Sequence, residues 1–299
     1  MSEFVQYLVN GFAQGSIYAL IALGYTMVYG ILKLINFAHG EFYMIGGFVG
    51  AYLLVQFGLP FWLVLILVMP IVGGLAVLVE RIAYRPLRNA PRIAPLITAI
   101  GISIMLLEAM RLIAGAQPRP FPQPFEDVIY EVGEFIPALD GVIVQRSQIM
   151  IFGIAIALML LLNAIVMKTK IGRAMRALSM DFDASRLMGV AIDRVVAFTF
   201  LLGAGLAGAG GVLVGMYYNQ IEPYMGQLAG LKAFTAAVLG GIGVIPGAVI
   251  GSFILSISEA LVVGYSESSY RDAIAFAILI VVLMFRPWGI LGKPERIKV

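Results

Sequence analysis

The side chains best suited to chemistry in this chain are few, and all lie in or beside long apolar runs. His39 and Glu41 stand two apart in NFAHGE, Lys232 stands mid-segment in GLKAFTAAVLGG, and Glu80, Glu108, Arg111 and Glu259 complete the set. A histidine beside a carboxylate is the pair a proton relay uses. No chain of further Asp, Glu or His continues it through the other apolar runs, so polar contacts near a membrane interface, with Asn36 capping a helix start, are the expected role. Lys232 either snorkels its ammonium outward along an apolar stem or meets a carboxylate in a translocation pathway. Glu108 and Arg111 are spaced to neutralise each other on one helix face, and Glu80, bordering an Arg-rich loop, is expected at the interface. No catalytic site can be assembled from the rest. GxxxxGK[ST], HExxH and GxSxG are absent, there is one histidine and there is no cysteine, which removes ATP hydrolysis by a phosphate loop, zinc chemistry and a Ser/His pair.

The elements that carry these residues are membrane helices. Hydrophobic residues make up 61% of the chain and charged residues 12%, against about 25% charged in soluble domains, and the mean hydropathy is +0.97. Apolar runs of about 20 residues recur, each long enough to cross a hydrocarbon layer ~30 Å thick. They are continuous rather than alternating, which disfavours a β-barrel. The expected fold is all-α: a polytopic helical membrane protein of eight or nine transmembrane segments, with residues 1–299 as one domain. The candidate spans are Leu8–Leu32, Asn36–Phe57, Phe61–Glu80, Ile93–Gly115, Ser147–Met167, Val195–Tyr218, Gly226–Gly241, Pro246–Gly264 and Tyr270–Phe285. The seventh is short for a crossing and could be a half-helix. The first apolar run is longer than a signal-peptide core and lacks a basic flank.

Charge orients the chain. Lys33, the Arg81–Arg92 loop (Arg81, Arg85, Arg88, Arg92), the 168–194 loop and the tail residues Arg286, Lys293, Arg296 and Lys298 hold fifteen of the 20 basic residues. The positive-inside rule places all four segments in the cytoplasm. Residues 116–146 carry Arg119 and Arg146 against Glu126, Asp127, Glu131, Glu134 and Asp140, and belong outside. Prolines at 118, 120, 122 and 124 favour an extended backbone there, either a stiff connector or a surface for an extracytoplasmic partner. If Gly226–Gly241 crosses fully, nine spans return the basic tail to the cytoplasm; a re-entrant segment would leave it outside, so a crossing is expected. The net charge of +3 gives no reason to expect nucleic-acid binding.

Glycine, 34 of 299 residues, clusters in three places. In Leu201–Gly215, Gly203, Ala207 and Gly211 form a small-xxx-small stripe suited to close helix packing. The clusters at Phe37–Tyr52 and Ala237–Ser252 lie in opposite halves of the chain and combine glycine with polar groups. Broken helices at such matching places line the substrate path of many transporters. On that reading Asn36, His39, Glu41, Lys232, Gly240 and Gly241 are the candidate pathway residues.

The hydrophilic loop Lys168–Arg194 is patterned as well as wet. Ile171, Ala174, Met175 and Leu178 fall at helical spacing, and Ala184, Leu187, Met188 and Ala191 repeat it after a break at Met180–Asp183. Two short amphipathic helices are expected, the second running from Asp183 to Ala191, on a surface fit for a soluble partner.

The segments INFAHGEFYMIGGF (35–48), GRAMRALSMDFDASRLMGV (172–190) and GLKAFTAAVLGGIGVIPGAVIG (230–251) resemble the LivH-type permease subunit of branched-chain amino-acid ABC importers, nearly end to end. ABC import permeases carry an EAA-x-x-x-G pattern on a cytoplasmic coupling helix that docks on the ATPase. Here Asp183, Ala184 and Ser185 take the EAA places, Arg186, Leu187 and Met188 follow, and Gly189 closes the pattern, with Asp for Glu and Ser for Ala as departures. The resemblance implies a permease in a bacterial inner membrane and an extracytoplasmic binding protein that delivers an amino acid. It also implies a second, LivM-like permease subunit and two ATPase subunits that hold the ATP and Mg, with no cofactor on this chain. An ion-coupled secondary transporter of small polar or zwitterionic solutes is the rival class. It would need an embedded ion site and no partner at 168–194.

Overall fold

The computed structural model describes residues 2–292 except 89, 92, 127 and 135. The charges Arg92, Asp127, Lys293, Arg296 and Lys298 therefore lie outside the described residues. Eleven α-helices are found among the described residues: α1 (Ser2–Leu32), α2 (His39–Gln56), α3 (Phe61–Val79), α4 (Ile93–Ala114), α5 (Arg146–Lys168), α6 (Lys170–Met180), α7 (Phe182–Leu187), α8 (Ile192–Tyr218), α9 (Met225–Gly240), α10 (Ile245–Tyr265) and α11 (Arg271–Phe285). Four strand fragments, β1 (Arg119–Pro120), β2 (Ile129–Glu131), β3 (Ile143–Gln145) and β4 (Gln220–Ile221), pair antiparallel as β1 with β4 and β2 with β3. Of the helices, seven are long and apolar enough to cross a membrane. The protein is a polytopic helical membrane protein. The expected count of eight or nine turns on α2 and α9, the two Gly-rich helices, which are not among the seven. At 16 residues, α9 is about 24 Å long, short of a full hydrocarbon layer.

The core is built around α1 and α8, whose middle turns are almost wholly buried. Glycine sets how closely they meet their neighbours. A Cβ on Gly46 of α2 would lie 2.3 Å from the Gly208 Cα of α8, and one on Gly203 would lie 3.1 Å from the Gly24 Cα of α1. Backbones this close bring many dispersion contacts into play, as small-residue stripes allow in lipid. The Gly203–Gly211 stripe is thus a packing surface. By contrast α11 buries only Ala275, and α4 buries six of its 22 residues.

The two ends of the bundle separate the chain's charges. Arg85 and Arg88 both ion-pair with Asp193 at the start of α8, and Lys33, Arg88, Leu178 and Phe182 line one groove, so the 81–88 and 168–194 segments share an end. The described residues of 116–146 gather at the other. There the expected connector is pinned down: β1 pairs with β4, Phe121 is buried against Gly215, and the Gln6 side chain bonds both ways with the Ile143 backbone at 2.7 and 3.0 Å. Proline spacing speaks only for an extended backbone; the anchoring comes from Phe121 and the long-range pairing.

Glu80, expected at the interface beside the Arg-rich loop, is shielded inside the protein. It is 1% exposed, held by Arg88 across a wide π-helical turn at Glu80–Tyr84. Asn36 lies outside α2, which starts at His39, and no side chain caps that helix. The Asn36 Oδ1 accepts instead from the Ala38 N–H at 3.1 Å, a local turn of the kind Asn favours, and from the Tyr84 hydroxyl at 2.6 Å. The Glu108–Arg111 pair forms as expected, at 2.7 Å.

Candidate functional site

Two regions hold the candidate residues. At the basic end, α5 turns into α6 through Thr169, whose Oγ1 donates to the Ile165 carbonyl at 2.6 Å and accepts from the Gly172 N–H at 3.0 Å. The turn is so tight that a Cβ on Gly172 would lie 2.3 Å from the Ile165 and Val166 carbonyl oxygens. Arg176 donates to the Val166 carbonyl and so satisfies an orphan acceptor at the end of α5. Met175 and Leu178, two of the four residues on the expected apolar face, are buried in the bundle.

The next helix, α7, is shorter than expected. Asp181 caps it, its Oδ1 accepting from the Ala184 N–H at 2.8 Å, and Ser185 is buried with its hydroxyl donating to the Asp181 carbonyl. The helix closes at Leu187. The Gly189 N–H bonds the Arg186 carbonyl and the Val190 N–H bonds the Ser185 carbonyl, both at 3.1 Å. Gly189 itself sits at φ +80°. This is a Schellman closure, in which the left-handed position is one that glycine occupies at little cost. Ala191 therefore leads into α8 rather than ending a helix. The apolar spacing 184–187–188 stays, but it faces outward: Leu187 is 89% and Met188 83% exposed, and Asp183, Ala184 and Arg186 are exposed beside them. Spacing alone could not tell an outward apolar face from an inward one.

The pathway candidates fall into three places. His39 and Glu41 open α2 inside the protein, each 1% exposed. His39 packs edge-on against Tyr25 of α1, ring centroids 4.7 Å apart, and fits because residue 24 is glycine, whose Cβ would lie 2.2 Å from the His39 Nε2. Glu41 accepts from the Ser103 hydroxyl, halfway along α4, at 2.9 Å. Its Oε2 lies against Gly226 in the first turn of α9, where the helix dipole favours a negative charge. The α2 and α9 backbones touch here: a Cβ on Gly40 would lie 2.2 Å from the Gly226 carbonyl oxygen. Asn36, bonded to Tyr84, precedes α2 by three residues.

Lys232 points elsewhere. Its Nζ meets Glu259 of α10 at 3.1 Å and Asp272 of α11 at 2.7 Å, and Tyr18 of α1 donates to Glu259 at 3.1 Å. Of the two alternatives for this lysine, the carboxylate is the one formed, and the cluster ties α9 to α1, α10 and α11. Removing one member of a buried pair leaves an uncompensated charge, at about 3–5 kcal/mol. Gly240 and Gly241 end α9 against the chain's last described residues: Ile290 and Leu291 donate to the Leu239 and Gly240 carbonyls at 2.9 and 3.0 Å, and Gly241 takes φ +112° beside Gly292. Sequence reading missed Ser103, Tyr18, Tyr84, Asp272 and Gly226. Each acts across forty or more residues of chain, where local spacing carries no signal, with Lys232–Asp272 the shortest such reach.

Comparison with known proteins gives this arrangement a family. The profile described as "Branched-chain amino acid transport system / permease component" matches residues 7–283. The permease protein BraD of Pseudomonas aeruginosa and LivH of Escherichia coli, both named for a high-affinity branched-chain amino acid transport system, are each 44% identical to this chain. Each alignment covers 99% of this chain and 98% of the relative. LivM of Escherichia coli is 26% identical over 92% of this chain and 68% of its own. The chain belongs to the branched-chain amino acid transport permease family, and is a membrane transport component rather than an enzyme.

Proposed function

We propose that this chain is one of two permease subunits of an ATP-driven importer of leucine, isoleucine and valine or related amino acids in a bacterial inner membrane. The observation that carries the reading is the 44% identity, over 99% of the chain, to permeases named for branched-chain amino acids. A LivM-like subunit completes the pathway, and the 26% likeness of this chain to LivM supports a partner built on the same plan. Two cytoplasmic ATPases, which hold the ATP and Mg, dock on Asp183–Gly189, and an extracytoplasmic binding protein delivers substrate at the 116–146 end. α2 and α9 complete nine passages.

The mechanism follows from what a coupling contact can do. ATP closes the ATPase pair, and that movement shifts permease access only if the closed pair contacts one arrangement of the permease better than the other. The exposed Leu187–Met188 tip on α7 is the element able to make that difference. Of the pathway candidates, Asn36, His39 and Glu41 stand at the α1–α2–α9 junction, while Lys232, Gly240 and Gly241 seat α9. The test is copurification with a LivM-like permease and an ATPase pair, followed by assay in proteoliposomes. Leucine-loaded binding protein should stimulate ATP hydrolysis and leucine uptake together. Uptake driven by an ion gradient without ATP would assign the chain to the secondary-transporter class instead.

A further inference from the structure

Two buried carboxylates deep in the bundle differ in how fully they are used. Glu259 is enclosed by Lys232 and Tyr18, and Lys232 is held in turn by Asp272. That cluster is occupied by its own members. Glu41 is equally buried, at 1% exposure, but only its Oε1 is bonded, by Ser103. Its Oε2 has no hydrogen-bond partner among the described residues. An ionisable group placed this deep in a membrane protein is costly, and such groups mark substrate and ion paths.

What lies above Glu41 is also unusual. Between α2 and α4 a crevice of about 730 Å³ opens toward the 116–146 end, with Phe48 and Tyr52 on one wall, Met110 and Ile113 on the other and Arg119 at its rim. Glu41 and Phe48 are seven residues apart on α2, and Ser103 and Met110 are seven apart on α4, so each pair shares a helix face. The Glu41–Ser103 bond therefore closes the crevice about 10 Å below its apolar walls. α4 is held there lightly. It buries six of its 22 residues, and among the described residues its polar ties to the neighbouring elements are Ser103 to Glu41 and the Arg111 guanidinium over the Tyr224 ring, 5.3 Å from its centroid. Tilting α4 away thus breaks few polar ties and uncovers a carboxylate with a free acceptor at the bottom of an apolar slot.

We propose that the α2–α4 crevice is the substrate subsite for a small apolar α-amino acid, with Glu41 receiving its ammonium group when Ser103 withdraws. The opposite charges suit that occupant: Arg119 at the rim draws the carboxylate of an arriving zwitterion, the apolar walls take its side chain, and Glu41 takes the cationic end. The inference rests on the reading of this chain as an amino-acid permease.

The test uses the reconstituted importer, with both permeases, the ATPases and the binding protein. Leucine carrying a side-chain diazirine is photolysed during turnover and the labelled residues are mapped. Label is expected on the crevice walls, at Phe48 or Met110, and is lost in excess leucine and in E41Q. Uptake by E41Q should fall at least about tenfold while E41D keeps a larger share, because charge rather than size is what an ammonium requires. Ala51→Phe, which fills the crevice without touching Glu41, should also slow uptake. Wall labelling that excess leucine does not compete, as a lipid-filled groove would give, overturns the proposal. So does leucine-competed labelling confined to other helices, or normal uptake by A51F. If E41Q fails to assemble, the wild-type map and A51F still decide. A wild-type complex that takes up no branched-chain amino acid takes down the functional reading and this subsite together, whereas uptake with an unlabelled crevice takes down the subsite alone.

Discussion

α6 and α7 follow one another at the same end of the bundle and carry the same apolar spacing, yet their fates are opposite. In α6 the spacing turns inward: Met175 and Leu178 are buried, and Arg176 and Gly172 lock the helix to the end of α5. In α7 the spacing turns outward, with Leu187 and Met188 among the most exposed apolar side chains of the molecule. The difference lies in what surrounds each stripe. Gly172 and Thr169 draw α6 against the bundle, whereas Asp181 and Gly189 fold α7 into a short capped unit that stands away from it. A rigid mount and an exposed tip are what a contact that transmits movement requires. Motion imposed on α7 reaches α5 through α6 and α8 directly.

The comparison can be broken first at the mount. Gly172→Val forces a branched side chain into the Ile165 and Val166 carbonyls, and overpacking of this kind costs about 3 kcal/mol. The variant should lower the thermal unfolding midpoint in detergent and reduce the yield of assembled complex. An unchanged midpoint would mean that α6 is not locked to α5. At the tip, the double change Leu187→Asp and Met188→Asp should do the reverse. Exposed substitutions shift stability by no more than ~0.5 kcal/mol, so insertion and unfolding stay normal. ATP-driven uptake should fall roughly thirtyfold, the factor matching ~2 kcal/mol of lost interface contact. Uptake at the wild-type rate would remove α7 from the coupling path.

Much of this was legible in the sequence because membrane helices are written locally. Length and continuous apolarity gave the spans to within a few residues, from Ile93 to Gly115 against an observed Ile93–Ala114 and from Val195 to Tyr218 against Ile192–Tyr218. The Gly203–Gly211 stripe was readable for the same reason: small residues four apart have one common use. What was not legible depended on distant partners. Lys232 could be assigned two roles from its own segment, and only Glu259 and Asp272 decide between them. Glu80 borders four arginines, and only the fold shows that one of those, Arg88, turns back and shields it from solvent. Glu41 and Ser103 meet across two helices that nothing in their local spacing pairs. The second amphipathic helix was overdrawn by one turn, since the periodicity runs through Gly189 while the backbone reverses there.

That reversal gives the finest test of the comparison, because it separates conformation from contact. A Cβ on Gly189 would meet nothing within 4 Å, so size alone should not matter to the fold of this chain; the φ of +80° should. Alanine in the left-handed region costs about 1 kcal/mol, and asparagine, which hydrogen-bonds locally, costs less. A loss of ~1 kcal/mol is about a fivefold shift in how often the Schellman turn is formed. Uptake should therefore fall in the order Gly189, Gly189→Asn, Gly189→Ala, even though asparagine is the larger side chain, while ATP-independent stability barely moves. If the order is instead glycine, alanine, asparagine, what Gly189 supplies is room for the partner to approach, and the turn is a spacer at the interface. Either order keeps α7 at the contact. Equal activity in all three would place Gly189 outside it and leave the exposed Leu187–Met188 pair as the whole of the tip.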